Sequence, residues 1–539
     1  MAQSLRAALS LETPWLSLSY WGAMGISALA FLLCPYPPMV DYPQHLAMGS
    51  LLRRMADPAS PESALYETNR FTYNAGIETL ISLLSFVVSS ELAGRIILAV
   101  NVIVFALAAL ALCDVAKRPR WYALLAVPLV YNYFTGWGFA NYTIAVPMAL
   151  LTCAGFLRIV RGERSRLLFA GVVLSSMFVA YTHVLAMLAI CVTIAIVSLR
   201  LLFGRNEDGL VERVKRLIAP AIVMVPSVAY CLGAWWWARK TSTSVWEHQW
   251  AEGQDDPAWQ KLRFLLFNAT GNFSDSSDQY FVVGAVVAAI AIVAYSDDDE
   301  QPSYGPMRAL CYGFAALYVF IPKVFIATFH IYARFLIFAM LFGMVSLPIV
   351  RRSWKNIAAA ASILAILCSL NLIKKFLTIP EVDDAMAIIN DAPANRSLVG
   401  VTWSPAPPTY FREIWVHLPA IYQARKGGMI AYSFMRNESV PIHYKPGKEP
   451  PHPPGGFEWN GKMYDIKADY ARAYDLVLVR SWLDDKGQVV DPTPYVFKDL
   501  SPHVRRLSRR GRFFLYDASG MERFLPPTRY PVPAEDGLF

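Results

Sequence analysis

Long apolar runs fill the first 376 residues of this 539-residue chain, and short ones punctuate the remainder. The runs near 15–35, 94–115, 120–136, 139–158, 166–182, 184–203, 216–237, 279–296, 306–322, 332–350 and 356–375 can each cross a bilayer as a helix, for which roughly 17 to 25 residues suffice. A further run, 74–90, is ambiguous. From Glu381 onward, prolines, charges and turn residues break the pattern. There the apolar stretches 397–401, 476–479 and 513–516 lie between Gly, Asp and Pro and predict strands, with helices between them. The Pro- and Gly-rich stretch 445–457 reads as a loop. The pattern predicts a polytopic α-helical membrane protein with about eleven transmembrane helices over 1–376, followed by a small C-terminal α/β soluble domain over 377–539.

Composition supports that reading. The chain is 55% hydrophobic and 17% charged, where a soluble chain carries about 25% charged residues. The net charge of +8 does not point to nucleic acid, because the basic residues cluster between apolar runs. These clusters are Lys117/Arg118/Arg120, Arg158/Arg161/Arg164/Arg166, Arg200/Arg205/Arg213/Lys215/Arg216 and Arg351/Arg352/Lys355. Even numbers of spans separate them, so all face the cytoplasm with Arg6 if 74–115 crosses only once. On that condition 74–90 is a re-entrant or interface-lying helix. The outer face then receives the loop 36–73, the turns at 135–141 and 182–183, the loop 238–278, the stretch 322–334 and the C-terminal domain. Arg6 ahead of the run 15–35, with no small-residue cleavage site, reads as a retained signal anchor with a cytoplasmic N-terminus. The seven cysteines lie in or beside apolar runs without a C-x-x-C pair and read as small membrane-core residues. No P-loop, nucleophile elbow or Rossmann glycine pattern is present, which removes support for ATP-driven transport and hydrolase chemistry.

Candidate chemistry gathers on the outer face. Asp41-Tyr42-Pro43-Gln44-His45 follows the first span. Asp41 suits a general base, or a group that positions an acceptor nucleophile; it also suits the N-cap of a helix 43–55 with Pro43 in its first turn. His45 lies one turn along, where it can face Asp41 and contact a phosphate or hydroxyl; Tyr42 and Gln44 are candidate substrate contacts. The helix 43–55 has the pattern of one lying in the interface plane, and equally of one packed on the protein. In Gly136-Trp137-Gly138-Phe139-Ala140-Asn141-Tyr142 the glycines allow a tight turn or a close approach by a ligand. Trp137 suits an interfacial belt or a sugar-stacking wall, and Asn141 is a polar contact beside it. His183 caps the next outward turn. Arg334, just inside a late apolar run, needs a counter-charge or must snorkel; a phosphate would serve, with Lys323 and His330 beside it. The loop 238–278 reads as a mixed-charge lid carrying His248.

This plan resembles the GT-C superfamily of membrane glycosyltransferases, the group of oligosaccharyltransferase catalytic subunits, protein O-mannosyltransferases and bacterial aminoarabinose transferases. The matching motif is the acidic residue of the first outer loop, here Asp41; Arg334 is similar to family arginines that hold the lipid-linked phosphate. The chain departs from well-known members in lacking a paired acidic D-x-D or Asp-Glu there and a WWD-type motif in the soluble domain. The resemblance implies inverting transfer of a sugar from a polyprenyl-phosphate carrier to a glycan, lipid or protein acceptor outside the bacterial cytoplasmic membrane. It implies Asp41 as a catalytic residue, beside which His45 is the second catalytic candidate by its place one turn along the helix; it implies no certain cofactor and leaves room for a divalent cation. Two other readings stand beside it. One is a non-catalytic GT-C-like binding protein or transporter for lipid-linked glycans, against which the scarcity of mid-span charges counts. The other is an outer-face acyltransferase, which would want a histidine within the bilayer.

Overall fold

The computed structural model describes every residue except 1–8, 70, 205–208, 242–255, 297–303, 326–327, 351, 405, 438–439, 452–455, 467–472 and 521–539. Helices α1 (Pro14–Leu33), α2 (Tyr42–Arg54), α3 (Gly76–Leu84) and α4 (Ser90–Ala116) open the chain. They are followed by α5 (Tyr133–Trp137), α6 (Ala140–Val160), α7 (Arg166–Thr182), α8 (Val184–Phe203) and α9 (Leu210–Thr241). The remainder of the apolar part holds α10 (Ser277–Ala294), α11 (Tyr304–Phe320), α12 (Ile331–Arg334), α13 (Leu336–Val345) and α14 (Trp354–Leu377). Among the described residues, seven helices are long and apolar enough to cross a membrane by length and composition. Apolar side chains on α9 and α10 face outward, with Ile222 63%, Leu232 61% and Ile290 61% exposed; that surface suits lipid and not water. Inside the bundle α1 lies along α14, with Ser27 Oγ donating to Ser369 Oγ at 2.9 Å, and along α4, with Tyr20 Oη donating to the Ala106 carbonyl at 2.8 Å.

Two expected spans are broken. The run 120–136 is a 3-10 helix (Arg120–Leu129) followed by α5. Pro128 removes a backbone donor there, and Asn132 restarts the chain as an N-cap, its Oδ1 accepting from the Phe134 and Thr135 amides at 3.0 and 3.2 Å. The run 332–350 breaks at Phe335 into α12 and α13 and stops at Val345, shortly before Pro348. The ambiguous run 74–90 yields only α3, whose nine residues reach about 14 Å, half the roughly 30 Å hydrocarbon core.

Helix α2 does not lie in an interface plane. Tyr42 through Leu51 are all buried. The helix packs between α3 and α16 (Leu418–Lys426) of the C-terminal domain. Arg54 clamps it, donating to the carbonyls of Gln423 and Ala424 at 2.9 Å each and pairing with Glu62 at 2.7 Å.

Helix α15 (Val382–Asp391) leads into the C-terminal sheet. A small ribbon pairs β1 (Tyr66–Thr68) of the first outer loop with β4 (Ile442–Tyr444), antiparallel, with Glu67 opposite His443. The main sheet contains β2 (Ser397–Thr402), β3 (Met429–Ile430), β5 (Leu476–Arg480), β6 (Arg505–Arg510) and β7 (Phe513–Asp517), in spatial order β3-β2-β5-β7-β6. Strand β2 runs parallel to β3 and β5, while β7 is antiparallel to β5 and β6. The three expected strands are β2, β5 and β7; β5 is buried throughout, which is why Leu476–Val479 are all apolar, and its last residue, Arg480, is buried as an ion pair. The Glu381 carboxylate, just after α14, accepts from Arg480 of β5 and Arg512 beside β7 and ties the sheet to the last apolar helix. The expected lid 238–278 contains two short helices, Ala258–Arg263 and Leu265–Ala269.

Candidate functional site

Asp41 sits at the N-cap position of α2, but its side chain makes no capping bond. Its backbone is fixed from the neighbouring turn. The amides of Val40 and Asp41 donate to the carbonyls of Gly136 and Trp137 at 3.1 and 3.0 Å. Gly138 is left-handed (φ +78°), and a Cβ there would come within 2.4 Å of the Asp41 nitrogen and 2.6 Å of the Tyr42 nitrogen. The close approach that this glycine permits is therefore by protein backbone, not by a ligand.

The Asp41 carboxylate meets His417 of the C-terminal domain, Oδ1 to Nε2 at 3.3 Å, with side-chain exposures of 14% and 1%. Gln44 fixes the imidazole. Its Oε1 accepts from the Phe434 amide at 3.3 Å, so its Nε2 donates, to the Tyr432 carbonyl at 3.1 Å and to His417 Nδ1 at 3.4 Å. Nδ1 is then the acceptor and Nε2–H points at Asp41. Tyr432 stacks on the His417 ring, 5.0 Å between centroids and 9° between planes.

His45 does not face Asp41. Its Nδ1 lies 2.5 Å from Oε1 of Glu78 on α3, a carboxylate with no exposure at all. Asn141 holds that carboxylate, Nδ2 donating to Oε1 and Oε2 at 3.0 and 2.9 Å, while its Oδ1 accepts from the Ile77 amide at 2.8 Å. Asn141 and Gln44, expected as substrate contacts, are thus supports for other polar groups. Tyr42, expected as a third, is buried with its hydroxyl against Gly94 of α4.

Arg334 is buried at the end of α12. Its guanidinium lies 4.5 Å from the Phe139 ring centroid, 5.4 Å from Tyr142 and 5.6 Å from Phe134. Nη1 is 3.0 Å from Nε2 of His183, the N-cap of α8. Asp41 is within electrostatic range of Arg334, and His45 within range of His183. Residues dispersed from 41 to 334 therefore share one locality.

Lys323 is not a second open cation, because its Nζ lies 3.5 Å from the Asp256 carboxylate. Another buried guanidinium near His330 is Arg412, from the C-terminal domain and 4% exposed. It sits 4.2 Å from the Tyr133 ring, 4.7 Å from Trp137 and 5.3 Å from Phe267. Its Nε and Nη2 have no hydrogen-bond partner among the described residues. His330, left-handed at φ 55°, packs between Tyr133 and Trp137 and lies within electrostatic range of Lys323, Arg412 and Arg334. Trp137 is no outer belt residue: it faces Arg412, His330 and, at 6.3 Å, Trp459. Beside Trp459, burial raises the Glu458 carboxyl above its ordinary range, with His417 opposing. His248 lies outside the described residues. Among the described residues no group of three or more His, Cys, Asp and Glu is arranged to hold a metal.

Glu78, His417, Arg412, Glu458 and Trp459 were not singled out from sequence. Glu78 could have been, since it is the lone charge within the apolar run 74–90 until Glu91. Arg412 and His417 alternate with aromatic and aliphatic residues in 410–418, a pattern shared by any half-buried segment.

No protein-family model matches this chain, and neither does any curated protein. Solved structures do. ArnT from Cupriavidus metallidurans bound to undecaprenyl phosphate matches with a TM-score of 0.58 at 12% identity, over 96% of this chain and 100% of that one. The same protein in its apo state gives a TM-score of 0.55 at 10% identity, over 95% and 99%. The likeness is one of fold, and it spans both chains almost end to end: the plan expected from the sequence, a polytopic helical membrane part with a C-terminal soluble domain, is the fold this chain has.

Proposed function

We propose that this chain is a membrane glycosyltransferase that moves a sugar, with inversion, from a polyprenyl-phosphate carrier to an acceptor at the outer face of the bacterial cytoplasmic membrane. The observation that carries the reading is the juxtaposition of Asp41 with Arg334. A barely exposed carboxylate, held by His417, lies within electrostatic range of a buried guanidinium. Undecaprenyl phosphate, bound in the ArnT structure of the same fold, supports the carrier class.

In this reading Arg334 and Arg412 neutralise the carrier phosphate. A guanidinium grips phosphate with two parallel donors, and the anion offsets the cost of burying the cation. Trp137 and Trp459 wall the sugar. Asp41 accepts the proton of the acceptor hydroxyl as that oxygen attacks the anomeric carbon, and the carrier phosphate leaves with the electron pair of the broken C–O bond. The N-terminus and basic clusters lie on the cytoplasmic side and the C-terminal domain outside.

The test is carrier consumption in proteoliposomes. Asp41→Asn keeps the shape and removes the base, so turnover should fall by about 10²-fold or more. Turnover equal to wild type would remove Asp41 from the chemistry. Carrier binding without any turnover, under every sugar and acceptor supplied, would favour a lipid-linked-glycan binding protein instead.

A further inference from the structure

We infer that His45, held by Glu78, is a second proton-handling group of the site and protonates the carrier phosphate as it leaves. This rests on the carrier reading above and names a residue pair for the half of the reaction that Asp41 does not serve.

Two carboxylate–imidazole pairs flank the ring of Phe434, which is 5.8 Å from His417 and 6.0 Å from His45. They are oriented oppositely. In one, the carboxylate of Asp41 is the more exposed member and His417 stands behind it; in the other, the His45 side chain is 7% exposed and Glu78 is sealed at 0%. Each pair thus presents one member to the site: a proton acceptor from Asp41, an imidazole from His45.

The hydrogen bonds fix which nitrogen works. The Oδ1 of Asn141 is committed to the Ile77 amide, so its amide group must donate to Glu78. A carboxylate only accepts, so the proton between Glu78 and His45 sits on Nδ1. Nε2 is left for the site. Imidazole exchanges its proton near neutral pH, so in the protonated form Nε2 carries a proton to give.

Position agrees. The backbone amide of His45 donates to the Asp41 carbonyl, which places the two side chains one turn apart on α2. His45 lies within electrostatic range of His183, whose Nε2 touches the phosphate-binding candidate Arg334. Among the described residues, Glu78 from α3 pairs with His45 and His183 of α8 lies within its electrostatic range; Arg334 is reached through His183, Asp41 lies one turn away on its own helix, and His417 lies across the Phe434 ring. From α4, Glu91 and Arg95 act on Tyr42 instead, and Glu91 is paired with Arg425 of α16.

The step balances. The bond from the anomeric carbon to the phosphate oxygen breaks, and its electron pair passes to that oxygen, which takes the proton from His45 Nε2. The acceptor oxygen bonds to the anomeric carbon and its proton passes to Asp41. Solvent returns the enzyme to its starting protonation. His45 is here a catalytic residue; Glu78 is a positioning residue.

The carrier product is a sufficient probe. Affinity of the purified full-length protein for undecaprenyl phosphate is measured from about pH 5 to 9, the range that brackets imidazole. It is compared between wild type, His45→Gln and Glu78→Gln. The phosphate's own titration is common to all and cancels in the ratio. The wild-type advantage over His45→Gln should be about tenfold at the acid end, the worth of one charge-assisted hydrogen bond, and vanish as the imidazolium deprotonates. In Glu78→Gln the same loss should come at lower pH, because a neutral amide replaces a negative charge 2.5 Å from the ring. A purely structural role for Glu78 would leave that midpoint in place. His45→Asn, which keeps a donor for Glu78, reads the same ratio if His45→Gln does not fold. A ratio independent of pH overturns the inference and leaves the carrier reading intact. Absence of undecaprenyl phosphate binding by wild type at every pH overturns both.

Discussion

Arg412 is the residue whose surroundings most demand a ligand. Its guanidinium is buried, is hydrogen-bonded to Tyr133, faces three aromatic rings, and leaves Nε and Nη2 without hydrogen-bond partners among the described residues. Ring faces recover part of the lost hydration, but they accept no strong hydrogen bonds. A phosphate fits both needs. Arg412→Lys keeps the charge and loses the planar fork, so undecaprenyl phosphate affinity should drop by about tenfold, as read by titration of the purified protein. Equal affinity would place Arg412 outside the phosphate site. Asp41 contrasts with it, since His417 already supplies a donor and so sets the direction in which the carboxylate points.

At the scale of elements, the site depends on a short helix and the glycine that ends it. Helix α5 spans only Tyr133–Trp137, and Gly138 closes it in the left-handed region. That turn presents Tyr133 and Trp137 to Arg412 and Phe134 to Arg334, so the two guanidiniums are cradled by adjacent residues of one element. The same turn holds the backbone of Asp41 through the Trp137 carbonyl. Gly138→Ala combines a strained conformation with a Cβ aimed at the Asp41 and Tyr42 nitrogens. Neither backbone atom can yield as a flexible side chain would. Displacement of Asp41 by even 1 Å should lower turnover by about 10²-fold, with a smaller change in carrier affinity, as separate rate and binding measurements will show. A variant with wild-type turnover would mean that the turn is not what positions the carboxylate.

At the scale of the whole molecule, the candidate site is a seam. The first outer loop, the ends of the apolar helices and the C-terminal domain each supply residues, and the β1–β4 ribbon, the Arg54 clamp on α16 and the Glu381–Arg480–Arg512 cluster hold the parts together. Of that cluster, Arg480 is lowered to about 10 by burial, with Glu381 opposing the shift. The proposed orientation puts the seam outside the cell and the basic turns inside. Single cysteines replacing the exposed Lys117 and Glu163 should react with an impermeant thiol reagent only after permeabilisation, whereas Lys498→Cys in the C-terminal domain should react in intact cells. Labelling of the first two from outside would invert the topology.

Hydropathy alone determined the apolar helices, because a segment in lipid must be apolar along its whole length and must satisfy its own backbone. It also marked β2, β5 and β7 and singled out Asp41 and Arg334, since charges beside apolar runs are costly enough to stand out. It left α2 open between an interface helix and one packed on the protein; the burial that decides for the second comes from a domain packed on top. It misjudged the runs 120–136 and 332–350, where Pro128, Asn132 and Phe335 interrupt helices that hydropathy reads as continuous. Partners were beyond it. Local pattern reports the surroundings a residue requires, not which distant residue supplies them. The fold alone decided that Asp41 would meet His417 across 376 positions of chain, that His45 would turn to Glu78, and that the second guanidinium would be Arg412.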